Sequence, residues 1–356
     1  MKRYLLTGIK NLLIRLSANK VTVVFDNERA PVDGIGAQIQ RQWSVMLLAR
    51  YMNWSFQGAP ITDLMLRSSD FREEKNKDDI IRLVNQIIES FQTAAFTRIS
   101  RDVKAHKVEI KIDDNGFSLL LKKYPRLFLT VCAFFVGVFR LNLRIVLVDG
   151  FFLTNRVPDI YDLLDVRAIN RAIEYSVNVN KLDKGILNIV LHIRRGEVNS
   201  RFFSHELSQR YTPTESFSEI VQDLLDMNLQ KQNRYTITVL TDAPTKKSYA
   251  SQEFLDINLW ESQLGIGNDF EIELESFDDL KKKHPSTMVR NDLDSITSLC
   301  MMIEADVLVM SKSSFSFVAG VLNRSGLVVY QDFWHQPLSR WLRWSSIKAL
   351  KREIEE

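Results

Sequence analysis

Cysteine is scarce in this chain of 356 residues, which holds two, Cys132 and Cys300. Both lie in apolar stretches, as buried free thiols do. Two cysteines cannot build a disulfide framework, and their scarcity excludes metal sites of the multi-cysteine kind. Free thiols are typical of a reducing compartment, so we expect the protein in the cytoplasm.

An excess of charge of one sign is also missing. The 47 basic and 44 acidic residues give a net charge of +3, which is too close to balance to indicate a nucleic-acid-binding surface. We therefore expect no nucleic-acid partner, and any anion site must be local. The loop Gly-x-x-x-x-Gly-Lys-(Ser/Thr) is absent as well, which argues against a kinase or a sulfotransferase.

No apolar run is long enough for a transmembrane helix. The best candidate, residues 127–139, ends at Arg140, well short of the roughly 20 residues that a bilayer requires, and we assign it to the core. Residues 1–16 combine Lys and Arg with Leu and Ile at helical spacing. Two interpretations stand for them: a first helix packed on its own domain, which we favour, and a basic amphipathic helix in peripheral contact with the inner face of the membrane.

The length of the chain and its 45% apolar residues predict two globular domains. The first begins with a β-branched run at residues 21–25, which is followed by a glycine-containing segment at 33–38 and a helical pattern. Strand, glycine turn and helix open a Rossmann-like unit. Polar residues and a glycine interrupt the pattern near residues 180–185, so we divide the chain into domains 1–182 and 183–356.

Strands and helices alternate regularly in the second domain, which predicts a parallel sheet covered on both faces. In the whole chain we predict strands at residues 21–25, 145–148, 187–192, 236–240, 271–274, 307–310 and 327–330. We predict helices from residue 39, at 80–91 and 162–177, from 212, at 294–304 and from 314. The helix from residue 212 carries a capping-box pattern, formed by Thr212, Pro213 and Glu215.

Charged side chains follow the first strand of the second domain. His192, Arg194, Arg195 and Glu197 stand where this apolar strand ends and the chain turns at Gly196. Ligands of α/β sheets bind at the carboxyl ends of the strands, and the planar fork of arginine suits a diphosphate. The pattern favours a diphosphate site over the alternative of a solvated arginine pair before a turn glycine.

A serine-rich segment, residues 311–316, lies between a predicted strand and a predicted helix. Hydroxyls and backbone amides at a helix N-terminus can bind an anion. Serines in this position are more often plain helix caps, so the segment alone indicates little.

Together, these segments resemble the α-1,2-fucosyltransferases and the wider group that contains protein O-fucosyltransferases and bacterial chitooligosaccharide fucosyltransferases. The family motif His-x-Arg-Arg-Gly-Asp is matched by His192, Arg194, Arg195 and Gly196, with Glu197 in place of aspartate. A second family motif, Ser-x-Ser-(Ser/Thr)-Phe-Ser, is matched by Ser311, Ser313, Ser314, Phe315 and Ser316. Shorter matches are Arg210-Tyr211-Thr212-Pro213, Thr241-Asp242 and Gly34-Ile35-Gly36-Ala37-Gln38.

The resemblance implies a GT-B-like α/β fold, with two facing Rossmann-like domains built on parallel sheets. It implies inverting transfer of fucose from GDP-fucose to a glycan hydroxyl, in surface polysaccharide or glycoconjugate synthesis. Arg194 is then the catalytic residue that neutralises the diphosphate. The implied donor-binding residues are His192, Arg194, Arg195, Glu197, Asp242, Ser313, Ser314, Phe315, Ser316, Gly34, Gly36 and Gln38.

Departures from the family keep two alternatives open. Ala37 replaces the family's asparagine and Phe317-Val318 replace its tryptophans, so another nucleotide sugar could be the donor. The second alternative is a catalytically silent protein that binds a nucleotide sugar or a glycan. Detectable GDP release from a donor would remove it.

Acidic residues are the candidates for the general base that deprotonates the acceptor and for metal ligands. Asp33, beside the glycine segment, is our candidate for the base that deprotonates the acceptor, although an aspartate before glycine is more commonly a turn former. Asp292 and Asp294 precede a predicted helix, where we expect caps rather than metal ligands. We expect no metal and no cofactor, with the nucleotide sugar as a substrate.

Overall fold

The computed structural model describes residues 12, 16–17, 20–26, 34–58, 60–64, 77–95, 108–112, 125–139, 141–147, 161, 182–183, 185–195, 208–227, 234–243 and 276–355. The chain divides into two compact units. The first unit comprises Met1–Met65, Ile81–Ser176 and Trp334–Leu338. The second comprises Leu66–Ile80, Val177–Phe333 and Ser339–Glu356.

The first unit contains a parallel sheet of four strands in the order β2-β1-β4-β3. These strands are β1 (Val21–Phe25), β2 (Ser55–Gly58), β3 (Val108–Ile112) and β4 (Leu143–Leu147). Its helices are α1 (Ile35–Tyr51), α3 (Pro125–Phe139) and the part of α2 (Lys77–Ala95) that follows Ile80. In the central strand β1, all five side chains are buried, as expected for a strand of a parallel sheet that is covered on both faces.

Helix α1 is buried on every side from Ile35 to Ala49, although it carries Gln40 and other polar residues. A hydrogen bond of 3.0 Å joins the Gln40 amide to the buried imidazole of His335. His335 belongs to the short segment Trp334–Leu338. This segment is part of the first unit, although it follows Val177–Phe333 of the second unit in the sequence. Buried polar groups therefore hold this returning segment.

Helix α3 corrects the assignment of residues 127–139 to the core. One face is buried, including Cys132, Ala133 and Val136. The opposite face is apolar but exposed, with Leu127 at 56%, Phe135 at 49% and Phe139 at 59% of the accessible surface of the free residue. An apolar composition therefore did not mean burial here.

The second unit contains a parallel sheet of six strands in the order β10-β9-β8-β5-β6-β7. The strands are β5 (Leu187–Ile193), β6 (Tyr235–Thr241), β7 (Thr287–Arg290), β8 (Val307–Val309), β9 (Leu327–Tyr330) and β10 (Leu342–Arg343). The helices are α4 (Thr214–Asp226), α5 (Asp278–Lys283), α6 (Ser295–Glu304), α7 (Ser314–Leu322) and α8 (Trp344–Glu355). The inward side chains of β5, β6 and β8 pack with α4 and Ile347 of α8 in one core. The predicted α/β fold with two parallel sheets is confirmed.

Not every predicted element stands as predicted. Helix α4 begins at Thr214 after Pro213, with no side-chain cap, so the capping box at Thr212 is wrong. The α5 helix, the edge strands β7 and β10, and the terminal helix α8 were not predicted from the sequence. The predicted strand at residues 271–274 and helix at 162–177 lie outside the described residues.

Both cysteines are buried and free, as the sequence predicted. Burial raises the pKa of each thiol to about 12, so neither is reactive at neutral pH. No helix among the described residues is both long enough and apolar enough to cross a membrane.

Candidate functional site

Two motifs that lie far apart in the sequence meet at one edge of the second sheet. Strands β5 and β8 are direct parallel neighbours, and Leu191 pairs with Val309. The segments that follow the two strands therefore leave the sheet at the same, carboxyl edge. A hydrogen bond of 2.6 Å joins Nδ1 of His192 to Oγ of Ser311, across 119 residues of sequence.

His192 is a neutral group in this position. Burial, followed by the positive charge of Arg194, lowers the pKa of the His192 imidazole to about 3. Its ring also packs near Phe315, with the ring centroids 5.7 Å apart. A neutral imidazole that uses Nδ1 for Ser311 retains Nε2 as its second polar atom, so His192 can orient a ligand but cannot supply positive charge.

The serine segment forms the start of α7. Ser313 is the N-cap residue, and its Oγ accepts a hydrogen bond from the N–H of Phe315 at 3.3 Å. The buried hydroxyl of Ser316 donates to the carbonyl oxygens of Ser311 and Ser313, both at 3.1 Å. These bonds fix the segment, so the positive end of the α7 dipole lies at the same edge as His192.

Arg195 is turned toward the protein. Its buried guanidinium lies 4.6 Å from the centroid of the Tyr211 ring. It donates to the carbonyl oxygens of Arg194 at 2.9 Å and Thr212 at 3.0 Å, and to Oγ1 of Thr214 at 2.9 Å. The described contacts therefore give Arg195 a structural role, in which it fixes residues 211–214 beside the end of β5.

The end of β6 contributes a carboxylate to the same edge. The backbone N–H of Arg195 donates to Oδ1 of Asp242 at 2.5 Å. Strands β5 and β6 are neighbours, with Ile193 paired to Thr241. Asp242 thus holds the chain directly after β5 in place, and with it the position of Arg194.

Two polar residues near this edge, Lys312 and Gln331, were not singled out from the sequence. Lys312 is half-buried, and its Nζ donates to the carbonyl oxygen of Gln209 at 3.0 Å. Burial lowers the pKa of Lys312. Oγ1 of Thr212 donates to Oε1 of the buried Gln331 at 2.7 Å, which is why Thr212 does not cap α4.

Similar proteins were found among solved structures. No protein-family model and no curated protein matches this chain. Solved structures that are similar include POFUT1 in complex with GDP, with 12% identity, coverage of 86% of this chain and 96% of that chain, and a TM-score of 0.40. NodZ alpha-1,6-fucosyltransferase soaked with GDP-fucose has 10% identity, coverage of 85% and 92%, and a TM-score of 0.33. E. coli heptosyltransferase WaaC with ADP-2-deoxy-2-fluoro heptose has 10% identity, coverage of 94% and 99%, and a TM-score of 0.39.

Three of the remaining predicted residues, Gly34, Gly36 and Gln38, belong to the first unit. Gly34 immediately precedes α1 with φ of −64°, a conformation open to any residue, and Gly36 and Gln38 are buried in the helix itself. Asp33 and Glu197 lie outside the described residues. The roles predicted for these five residues, like the donor-binding roles of the other predicted residues, stay predictions.

The two acidic residues before α6, Asp292 and Asp294, form hydrogen bonds with other groups of the protein. Asp294 is the N-cap, and its Oδ1 accepts from the N–H groups of Ile296 at 2.9 Å and Thr297 at 2.8 Å. Asp292 pairs with Arg290 through two bonds of 2.8 and 3.0 Å. The capping interpretation is therefore correct for Asp294. Within the described part of the chain, no cluster of three metal-ligating side chains was found.

Proposed function

We propose that this protein is an inverting glycosyltransferase with a GT-B-like fold that takes its sugar from a nucleoside diphosphate. The observation that carries the proposal is the 2.6 Å hydrogen bond between His192 and Ser311. It unites a strand end that bears Arg194 with the start of α7, which are two features that stabilise negative charge by different means. We infer that one diphosphate contacts both.

The chemistry requires positive charge where the leaving group forms. In the proposed reaction, the acceptor hydroxyl attacks the anomeric carbon while the bond from that carbon to the β-phosphate oxygen breaks. Negative charge grows on the β-phosphate, and fixed cationic donors lower the barrier because they need not reorganise. Arg194 and the N-terminus of α7 are suited to this role, and His192 helps to hold the nucleotide.

The donor that we favour is GDP-fucose, with a glycan as the acceptor in polysaccharide or glycoconjugate synthesis. This choice is supported by the resemblance of the two motifs to those of the fucosyltransferases. Asp33 is the base that we propose for the acceptor hydroxyl. We expect the enzyme in the cytoplasm, working without a metal or a cofactor.

Nucleotide binding is the first experiment. Thermal unfolding of the protein is measured with GDP, UDP and ADP, because a ligand that binds the native state raises the unfolding temperature according to its affinity. We expect GDP to give the largest shift and Arg194→Ala to abolish it. Arg343→Ala is the matched control, because Arg343 is an exposed arginine of the same unit, paired with Asp332.

Donor turnover is the second experiment. Release of GDP from GDP-fucose supports the proposal, and release from a different nucleotide sugar changes the donor but keeps the enzyme class. Nucleotide binding without turnover of any donor would identify a silent binding protein. Absence of binding to all three nucleotides would remove the proposed function altogether.

A further inference from the structure

Helix α3 presents an apolar face to solvent. Phe134 is 48% exposed, and Val131 and Val138 are 43% and 55% exposed. Together with Leu127, Phe135 and Phe139, these residues recur at helical spacing along one side of the helix. The rings of Phe135 and Phe139 stack at 5.8 Å, and those of Phe134 and Phe135 meet edge to face at 5.9 Å. Contiguous aromatic patches of this kind mark interaction surfaces in soluble proteins.

The N-terminal part of the chain extends this face. A Cβ placed on Gly137 would lie 3.0 Å from Cβ of Leu16, so Leu16 packs directly against the backbone of α3. Leu16 is nevertheless 42% exposed, and Leu12 is 55% exposed. Leu16 thus adjoins α3 and adds an exposed leucine to its apolar surface. We call the surface formed by Leu16, Leu127, Val131, Phe134, Phe135, Val138 and Phe139 the α3 patch.

The sequence around the α3 patch is strongly basic. Residues 1–25 and 115–140 contain no acidic residue and nine basic residues: Lys2, Arg3, Lys10, Arg15, Lys20, Lys122, Lys123, Arg126 and Arg140. The 47 basic residues of the chain thus leave 38 for the remaining segments, which contain all 44 acidic residues. The near-neutral net charge of the protein therefore hides a basic region and an acidic remainder.

We propose that the α3 patch docks on a membrane surface that contains anionic lipids. Apolar and aromatic side chains enter the boundary between headgroups and acyl chains, and flanking Lys and Arg contact the lipid phosphates. Helix α3 has 15 residues and is roughly 22 Å long, which is too short to span a bilayer. It lies in the plane of the interface.

The charge distribution decides between a membrane and a second copy of the chain. Two copies that met through their α3 patches would bring together residues whose neighbours in the chain, such as Arg15, Arg126 and Arg140, are basic, and like charges oppose such an interface. An anionic lipid surface complements both the apolar residues and the cations. The inference is independent of the proposed glycosyltransferase activity.

The test is vesicle binding by the full chain. Vesicles of phosphatidylcholine alone are compared with vesicles that contain about 30% phosphatidylglycerol. We expect the protein to sediment with the anionic vesicles, and less so as salt increases. Joint substitution of Phe135→Gln and Phe139→Gln is expected to weaken vesicle binding about tenfold or more, since two rings that would be buried in the lipid are lost. Met288→Gln, in the second unit and 51% exposed, is the matched control and is expected to bind as the wild type does.

Amide hydrogen exchange locates the contact. Anionic vesicles are expected to slow exchange in α3 in the wild type. Undiminished vesicle binding by the double variant would overturn the proposal. So would a dimer in analytical ultracentrifugation that the double variant abolishes, in the absence of vesicle binding. Both replaced side chains are exposed, so the variant is expected to keep its thermal unfolding temperature and any shift produced by GDP.

Discussion

The backbone N–H of Arg195 donates a hydrogen bond of 2.5 Å to Oδ1 of Asp242. This bond crosses from the end of β5 to the end of the neighbouring strand β6. It means that a carboxylate at a strand end, which the resemblance assigns to donor binding, also fixes the geometry of the arginine pair. Under the proposed function, donor binding and stability at this edge of the sheet are therefore coupled.

Asp242→Ala is expected to lower the free energy of unfolding by about 1–3 kcal/mol, because it leaves the N–H of Arg195 without its acceptor. Asp242→Asn keeps a side-chain oxygen and is expected to cost less. Urea unfolding measures both. Asp292→Ala is the control, because Asp292 is an exposed aspartate that pairs with Arg290. Equal stability of Asp242→Ala and the wild type would contradict the role of this bond.

The two adjacent arginines are expected to respond differently to substitution. Arg195→Ala removes three hydrogen bonds and the stacking contact with Tyr211, so we expect a loss of about 2–3 kcal/mol in unfolding free energy. Arg194→Ala is expected to cost less stability than Arg195→Ala and to lower kcat by roughly two orders of magnitude, since it removes stabilisation of the leaving group.

Urea unfolding and initial rates with the donor separate these two outcomes. If both variants lost stability equally and Arg194→Ala kept its kcat, Arg194 would have a structural role and the proposed mechanism would lose its cation.

The low pKa of His192 predicts a pH dependence of stability. The folded protein keeps this imidazole neutral down to about pH 3, whereas the unfolded chain binds its proton below about pH 6.5. Stability from this residue is therefore complete above pH 6.5 and is lost as the pH falls, by about 1.4 kcal/mol per pH unit. Burial lowers the pKa of His284 as well, so two residues act with the same sign.

His192→Gln is expected to flatten this dependence between pH 6.5 and pH 4.5. The difference between variant and wild type cancels the titration of the shared carboxylates. Urea unfolding at pH steps of half a unit makes the comparison. An unchanged slope would show that His192 titrates normally in the folded protein.

Strand ends and motif positions could be predicted from this sequence because they depend on local patterns. Apolar runs such as that of β5 are bounded by charged or polar residues, and in a parallel sheet this boundary is also the ligand-binding edge. The start of α7 at Ser314 was predicted for the same reason, since a run of serines precedes an apolar helix. The hydrogen bond between His192 and Ser311 could not be predicted, because it depends on the order of the strands in the sheet.

The failures have a common physical cause, which is competition from distant residues. Thr212 is a residue type that often caps helices, but its hydroxyl donates a hydrogen bond to Gln331, 119 residues away. The guanidinium of Arg195 contacts Tyr211 and Thr214 in the folded protein, which local sequence could not show, and its predicted contact with the donor stays a prediction. Local sequence shows which bonds a side chain can form, and tertiary structure decides among them.

Burial was the least predictable property. Helix α3 is apolar on both faces, so its periodicity could not show that Phe135 and Phe139 face solvent. Helix α1 is the reverse case, with Gln40 and Gln42 completely buried. Hydrophobic periodicity assumes that apolar residues are buried and polar residues exposed, and both helices depart from that rule.

Lys312 is expected to act as a second cation of the site. It lies directly after Ser311, and its contact with Gln209 keeps it at the edge of the sheet. Within the proposed function, Lys312→Met is expected to weaken GDP binding about tenfold, the effect of one charge-assisted hydrogen bond, whereas Lys312→Arg retains the charge and most of the affinity. Because burial lowers the pKa of Lys312, GDP binding by the wild type is expected to weaken as the pH rises. That part of the pH dependence is expected to disappear in Lys312→Met.

Lys281→Met is the control, because Lys281 is an exposed lysine in α5. Isothermal titration from pH 7 to pH 10 measures GDP binding by the wild type and the three variants. Equal affinities of Lys312→Met and Lys281→Met would remove Lys312 from the site and leave Arg194 and α7 to hold the diphosphate.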